Sequence, residues 1–356
     1  MQHSLWQWFA DEAILSHAVK GLSTPLLLAA IVVCILLLSK GADWMIDGVV
    51  NLAKRTGIPK IVIGATIVSL GTTTPETFVS VMAAVMGNPG LALGNGVGSI
   101  IADTGLIFGL TCVLAARVPA NKFILNRTGW VQVGSATLLT VIALVALFLS
   151  PDNPILGRPV GIFLLCLLAV YLYATYHWSK SGMSVLAEAE NHTSDDEELI
   201  HIFQCWMMML GGLVLVVLGA RVLVPCASEI ALRFHVPEDV IAATMVALGT
   251  SLPELMTAIS AIKKGHPEIT VGNIVGADVL NCLFVIGASA AAKPLAVPDN
   301  FYYFHFPAML IILWSFRAFI TMNKDGVFKR WQGVYLLGAY VGYVVLQYAL
   351  NVKLPA

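Results

Sequence analysis

The stretch Gly64-Ala-Thr-Ile-Val-Ser-Leu-Gly-Thr-Thr-Thr-Pro-Glu76 decides how the chain can fold, because it occurs twice. Its second copy, Ala242-Ala-Thr-Met-Val-Ala-Leu-Gly-Thr-Ser-Leu-Pro-Glu254, lies 178 residues further on, and a Gly-Asn-x-Val-Gly segment follows each copy. Residues 41–109 align with residues 219–287 without a gap, and about a third of the aligned positions are identical. A repeat of this length indicates a duplicated structural unit.

The composition is that of a helical membrane protein. Of 356 residues, 58 % are hydrophobic and 12 % are charged, and the mean hydropathy is +0.83. Long apolar runs between short charged loops predict ten membrane-spanning helices, five in each half. An odd number of crossings per half inverts the second repeat relative to the first. The net charge of −1 argues against a nucleic-acid partner.

The repeat divides the chain into four predicted segments. Residues 1–23 form an interfacial segment, 24–178 the first five-helix repeat, 179–199 an acidic cytoplasmic loop, and 200–356 the second five-helix repeat. Most Lys and Arg residues near the predicted helix ends, among them Lys54, Lys180 and Lys264, fall on one side of this topology. Because positive charge concentrates in cytoplasmic loops, we expect both termini outside the cell (inner) membrane.

Each copy of the motif places a glutamate, Glu76 or Glu254, inside an apolar segment. A carboxylate at the centre of a bilayer costs about 2.5–3.5 kcal/mol, so a functional role is the default interpretation. The prolines just before them, Pro75 and Pro253, cannot donate a helical hydrogen bond. Carbonyl groups freed in this way are tolerated in a membrane only where they line a cavity or bind something. We therefore expect both motif helices to be broken at the midplane.

Oxygen atoms dominate the chemistry around the glutamates. Hydroxyl groups come from Thr72, Thr73, Thr250 and Ser251, and neither copy contains His or Cys. A donor set of this kind suits Ca²⁺, Na⁺ or Mg²⁺ rather than zinc or copper. Close packing and a kink would explain a single Gly-Thr or Pro, but not two matched motifs.

The helices that follow the motifs add further polar groups. On each helix, three positions spaced four residues apart share one face: Asn95, Ser99 and Asp103 on the first, and Asn273, Ala277 and Asn281 on the second. Asp278 lies close to the second of these faces. Asp103 and Asp278 are thus carboxylates inside apolar spans that packing does not explain.

The first predicted span contains Lys40, Asp43 and Asp47 at helical spacing. A structural ion pair with snorkelling of the lysine is one interpretation. A role in gating is the other, and the sequence leaves both open.

The two motifs resemble those of the cation/Ca²⁺ exchanger superfamily, and within it the bacterial sodium/calcium-exchanger-like membrane proteins. The resemblance is carried by Gly71-Thr-Thr-Thr-Pro-Glu76 and Gly249-Thr-Ser-Leu-Pro-Glu254 with their Gly-Asn-x-Val-Gly followers, and it extends over nearly the whole chain. It implies an all-α polytopic membrane protein with two inverted five-helix repeats and four central ion sites. It also implies a secondary antiporter that exchanges Na⁺ for Ca²⁺ by alternating access, without a cofactor and without enzymatic activity.

The resemblance also implies roles for individual residues. Ca²⁺ would be bound by Glu76, Glu254, Thr72 and Thr250. Na⁺ would be bound by the carbonyl groups of Ser69 and Ala247 together with Thr73, Ser251 and Ser99. The middle position would be occupied by Asp103 and Asn281.

The chain departs from the family pattern in three ways. At the middle position, the family often has Asn in the first repeat and Asp in the second. This chain has Asp103 in the first repeat and Asn281 in the second, so the carboxylate lies in the first repeat. Ala277 replaces the serine that would match Ser99, which removes one hydroxyl ligand. Asp278 is an additional carboxylate that could add a cation ligand or a protonatable group.

Two other transport modes remain open from the sequence. The first is an H⁺/Ca²⁺ antiporter that uses Asp103 or Asp278. The proton-coupled branch of the family that the chain resembles typically has Gly-Asn before its glutamate, whereas this chain has Gly-Thr, and the resemblance therefore favours Na⁺ over H⁺. The second is a passive cation channel built on the same residues. An enzyme is not expected, because the sequence contains no HExxH motif and no GxSxG motif.

Overall fold

The computed structural model describes residues 18–119, 122–190, 200–234 and 247–349, and these are almost entirely helical. In chain order, the helices are α1 (Thr24–Thr56), α2 (Lys60–Ile63, Gly64–Val68 and Ser69–Met86), α3 (Pro89–Leu114), α4 (Lys122–Leu149), α5 (Arg158–Glu190), α6 (Ile202–Arg233), α7 (Ala247–Thr250 and Leu252–Lys263), α8 (Pro267–Ala292), α9 (Phe301–Met322) and α10 (Arg330–Ala349).

Seven of these helices are long and apolar enough to cross a membrane, counting only the described residues: α1, α3, α4, α5, α6, α8 and α9. The polar motifs lie on α2 and α7, which are not among the seven. The all-helical membrane class is therefore confirmed, and the count of ten spans stays a prediction. The predicted N-terminal segment lies mostly outside the described residues, since only residues 18–23 of it are described.

The first part of the predicted loop at 179–199 is helical. Helix α5 continues to Glu190, and residues 191–199 lie outside the described ranges. The sequence Val185-Leu-Ala-Glu-Ala-Glu190 consists largely of strong helix formers, so the helix continues past the apolar span. Hydrophobicity predicted where the membrane-spanning part ends, but not where the helix ends.

The loops collect at two opposite ends of the helix bundle. At one, the Gly87 end, residues 87–90, which connect α2 to α3 and begin α3, line a cavity with residues 152–154 and 296–299. At the other, the Lys264 end, Lys60 Nζ lies 3.7 Å from Glu268 Oε1, and Arg55 donates to the carbonyl of Ile200. Loops that follow successive helices thus alternate between the ends, as they do in a chain that crosses a membrane repeatedly.

Two short strand pairs tie the halves of the chain together. Strand β1 (Val118–Pro119) pairs with β4 (Val327–Phe328), and β2 (Ile155–Leu156) pairs with β3 (Leu295–Ala296). In each pair, the loop after the third helix of one repeat meets the loop after the fourth helix of the other. If the helices of the two repeats are matched in order, the β1–β4 pair becomes the β3–β2 pair. A two-fold relation between the repeats would produce this pattern.

Glycines allow the close helix contacts around the centre. Helix α1 packs along α6, where Gly41 lies against the carbonyl of Gly212. Helix α8 packs on α2, and its Gly272 and Gly276 lie against the α2 backbone at Ile61 and Ala65. A side chain at these positions would force the helices apart. The helices that carry the first motif and the second Gly-Asn-x-Val-Gly segment are therefore in direct contact.

Gly98 and Gly276 occupy equivalent positions of the repeat, 178 residues apart, but only Gly276 is crowded. A Cβ atom at Gly276 would overlap the Ala65 carbonyl and the Ser69 hydroxyl, whereas nothing lies within 4 Å of a Cβ at Gly98. We expect Gly276→Ala to lower the free energy of unfolding by about 1–3 kcal/mol through overpacking. Gly98→Ala should be neutral or slightly stabilising, because alanine has the higher helix propensity.

Thermal unfolding of both variants in the same detergent checks this expectation. Equal melting temperatures for the two would contradict the close α2–α8 contact.

Candidate functional site

The motif helices depart from regular α-helix in different ways. Helix α7 is interrupted at Ser251, directly before the Leu252–Lys263 segment that contains Glu254. Helix α2 is not broken: it passes through a π-helical segment at Gly64–Val68 and accommodates Pro75 within the Ser69–Met86 segment. The expectation of a break is correct for α7 and wrong for α2. The π-helical segment ends before Gly71, whose carbonyl loses its helical donor at Pro75, and the helix continues past the proline.

Four carboxylates lie together in the interior. Glu76, Glu254 and Asp278 are each 1 % exposed and Asp103 is 0 % exposed. Glu76 interacts electrostatically with Glu254 and Asp103, and Asp103 also interacts with Asp278. Glu76, Asp103, Glu254 and Asp278 come from four different helices, α2, α3, α7 and α8. The fold therefore brings the glutamates of both repeats into one site.

Most oxygen atoms of this site have no hydrogen-bond partner among the described residues. They include both carboxylate oxygens of Glu76 and of Asp103, Glu254 Oε2, and the side-chain oxygens of Thr73, Ser99, Ser251 and Asn281. Buried acceptors that lack a donor are costly, and a bound cation would compensate them. Within the described ranges no three carboxylate, imidazole or thiol side chains converge on one point, so hydroxyl, amide and main-chain oxygens must complete any ion site.

The polar residues of α2 already contact the opposite repeat. The Thr72 hydroxyl donates to the Ser69 carbonyl at 3.3 Å and lies 3.5 Å from Asn273 Oδ1 of α8. It also interacts with Glu254 of α7. Within the first repeat, Asn95 Nδ2 donates to the Glu76 carbonyl at 3.3 Å and to Ser80 Oγ at 2.9 Å. These contacts fix Glu76 and Thr72 relative to α3 and α8.

The second motif is described only in part. Residues 242–246 lie outside the described ranges, and Ala247 and Thr250 form the short helix that precedes Ser251. Thr250 lines a small cavity together with Pro75, Gly249, Pro253 and Arg221 of α6. This cavity reaches the motif residues from the α6 side.

Asp278 differs from the other three carboxylates because its Oδ2 atom accepts two hydrogen bonds. The donors are Thr104 Oγ1 on α3 and Gln132 Nε2 on α4, the latter at 2.6 Å. Gln132, in a helix without a repeat motif, was missed by the sequence analysis. A buried Gln in an apolar span was the available signal, and its partner could not be inferred without the fold.

The charges of the first span pair across a helix interface. Asp43 Oδ1 accepts from Ser260 Oγ at 2.6 Å, and Lys264 Nζ donates to the Asp43 carbonyl at 3.0 Å and forms an ion pair with Asp47. These contacts join α1 to α7 near the Lys264 end. Lys40 lies over the Trp44 ring, 5.7 Å from its centre. A structural ion pair is therefore present for Asp47, with Lys264 rather than Lys40 as the partner.

The hydroxyl groups of Thr73 and Thr74 provide a matched test of the site. Thr73 is buried with an unpartnered hydroxyl, whereas the exposed Thr74 donates to the Leu70 carbonyl of its own helix. We expect Thr73→Val to weaken cation binding by about 5- to 20-fold, since one lost oxygen contact is worth about 1–2 kcal/mol. Isothermal titration of the purified protein with Na⁺ and with Ca²⁺ measures this effect. Thr74→Val is the control, and equal affinities for the two variants would exclude Thr73 as a ligand.

Comparisons with known proteins show the family of this chain. The model of the sodium/calcium exchanger protein family matches residues 26–177 and 205–349. The sodium/calcium exchanger MaX1 of Methanosarcina acetivorans is 29 % identical over 334 residues, covering 87 % of this chain and 95 % of that protein. The inner membrane protein YrbG of Escherichia coli is 30 % identical over 332 residues, covering 91 % and 97 %.

A solved structure is similar over nearly the same range. The sodium-calcium exchanger NCX_Mj, soaked with zero Na⁺ and Ca²⁺, superimposes with a TM-score of 0.75 at 26 % identity, covering 91 % of this chain and 99 % of that one. Family model, relatives and structure thus agree over both repeats, and the resemblance stated from the motifs is confirmed. The chain belongs to the sodium/calcium exchanger family of membrane proteins.

Proposed function

We propose that this protein is a secondary active antiporter that exchanges Na⁺ for Ca²⁺ by alternating access. The observation that carries the proposal is the pair of buried motif glutamates, Glu76 and Glu254, which come from different repeats and share one interior site. Two carboxylates neutralise one Ca²⁺, and the same oxygens suit Na⁺, so the two ions compete for one site. Exchange of about three Na⁺ for one Ca²⁺ would move one charge, coupled to about 2.3 kcal/mol per 100 mV.

The roles of individual residues are those that the family resemblance implies. Ca²⁺ is assigned to the two glutamates with Thr72 and Thr250. Na⁺ is assigned to the carbonyl groups of Ser69 and Ala247 together with the hydroxyl groups of Thr73, Ser251 and Ser99. The middle position is assigned to Asp103 and Asn281. The unpartnered state of most of these side-chain oxygens supports the assignment.

The membrane arrangement completes the proposal. Ten helices cross the membrane as two inverted repeats, which the exchange of strand pairings between the repeats supports. Both termini lie outside the cell (inner) membrane, so the Lys264 end is cytoplasmic, in agreement with its lysine and arginine residues.

Alternating access requires that one end of the site closes while the other opens. The contacts of Asp43 and Asp47 with Ser260 and Lys264 hold α1 against α7 at the Lys264 end. Towards the Gly87 end, the cavity beside Thr250 and Arg221 separates α6 from the motif helices. The helix pair α1–α6 packs as one unit and would move past the ion-binding helices when the contacts at the Lys264 end break.

Removal of either motif carboxylate should abolish transport. We expect Glu76→Gln and Glu254→Gln to lose Ca²⁺ uptake into Na⁺-loaded proteoliposomes while eluting as monodisperse protein, because each variant removes one of the two glutamates assigned to Ca²⁺. Glu229→Gln is the control, since Glu229 pairs with Arg233 away from the site. Full uptake by either motif variant would contradict a shared site.

The ion pair at the Lys264 end should control access to the site. We expect Lys264→Gln to favour opening at that end by about two- to five-fold, the effect of losing an exposed ion pair. Lys263→Gln is the matched control, because the neighbouring Lys263 is exposed and no hydrogen bond or ion pair of its side chain is recorded among the described residues. The rate at which an impermeant maleimide labels a cysteine introduced at Thr257, in a background without native cysteines, measures opening. Equal rates in the two variants would exclude a gating role.

A further inference from the structure

A second group of buried polar side chains lies beside the glutamate site. Asp278 of α8, Thr104 of α3 and Gln132 of α4, here called the Asp278 cluster, are all at most 1 % exposed. Thr104 Oγ1 and Gln132 Nε2 both donate to Asp278 Oδ2, and Gln132 Nε2 is also 3.3 Å from Thr104 Oγ1. None of the three residues lies on a motif helix.

The hydrogen bonds of this cluster are distributed unevenly. Asp278 Oδ2 has two donors, whereas Asp278 Oδ1 and Gln132 Oε1 have none among the described residues. The donors are neutral, and no ion pair of Asp278 is present in the part of the chain that the structure describes. A structural carboxylate in an apolar interior would be expected to engage both oxygens or a cationic side chain. Two buried acceptors without donors instead indicate a missing positive charge.

The local backbone can supply further oxygens. Thr104 lies within a π-helical segment, Ala102–Phe108, and a second one, Asn281–Val285, begins three residues after Asp278. π-Helical turns shift the normal hydrogen-bond register and are frequent at functional sites. Carbonyl groups that leave the regular register become available to a cation.

We propose that the Asp278 cluster is an accessory Na⁺ site, with Asp278 Oδ1 and Gln132 Oε1 as ligands. One carboxylate with neutral oxygens balances a monovalent cation, and hard oxygen donors suit Na⁺. Thr104 and the Gln132 amide hydrogen atoms orient the carboxylate through Oδ2. The inference rests on the proposed exchanger function and specifies where one of its Na⁺ ions binds.

Ala277, the residue directly before Asp278, suggests why a Na⁺ ion would bind at the accessory site. Ala277 brings no hydroxyl group to the central site, at the position that matches Ser99 in the other repeat. Asp278, the next residue, provides a carboxylate directed at α3 and α4 instead. The chain therefore replaces a weakened central Na⁺ position by one displaced towards α4.

Equilibrium binding of ²²Na⁺ to the purified full-length protein tests the accessory site, with Asp278→Asn and Gln132→Leu as variants. We expect both variants to bind less Na⁺, by about one equivalent per chain, as the loss of one independent site requires. Their Ca²⁺ affinity, measured by titration, should stay within about three-fold of the wild type, because the motif glutamates remain. Thr137→Val is the matched control on α4, since its hydroxyl donates only to the Val133 carbonyl of its own helix.

Three results would overturn the accessory site. The first is an unchanged number of bound Na⁺ ions in Asp278→Asn and in Gln132→Leu. The second is a loss of Ca²⁺ binding in Asp278→Asn as complete as that in Glu254→Gln, which would place Asp278 in the central site. The third is unchanged Na⁺ binding combined with a lost pH dependence of uptake, which would make Asp278 a proton carrier. If the wild type binds ²²Na⁺ but shows no Na⁺-driven Ca²⁺ uptake, the exchanger proposal fails. The ²²Na⁺ binding of the variants still shows whether the Asp278 cluster binds Na⁺.

Discussion

The structure depends on the cost of placing carboxylate oxygens in an apolar interior without hydrogen-bond donors. Glu76 and Asp103 have no partner for any of their carboxylate oxygens among the described residues, and Glu254 lacks one for Oε2. Four buried carboxylates repel one another when they are ionised, and bound protons or bound cations relieve that repulsion.

The helices around this site meet through close backbone contacts and through polar side chains. Gly272 and Gly276 bring the α8 backbone against α2. Helix α1 packs on α6, and polar contacts near the Lys264 end connect α1 to α7. Polar contacts of this kind are individually weak, and their loss or formation can shift a balance between two states without unfolding either.

Much of the fold and of the site follows from the sequence, because the two matched motifs specify both. Buried glutamates at equivalent positions of a repeat predicted that Glu76 and Glu254 converge, and the structure brings them together. The continuity of α2 through Pro75 could not be predicted, since a proline within a helix allows either a break or a helix that lacks one hydrogen bond. Gln132 escaped prediction because it lies in a helix without a motif, and only the packing of α4 on α8 shows that it contacts Asp278. The continuation of α5 to Glu190 depends on helix propensity rather than on hydrophobicity, which was the stronger pattern in that region.

The most direct test of exchange is ⁴⁵Ca²⁺ uptake by the wild-type protein in proteoliposomes loaded with Na⁺, compared with K⁺-loaded and acid-loaded vesicles. A Na⁺/Ca²⁺ antiporter accumulates Ca²⁺ against its gradient only when Na⁺ is inside. Accumulation driven by internal acid without Na⁺ would make H⁺ the coupling ion, and uptake that never exceeds equilibrium in any of the three would contradict coupled exchange altogether.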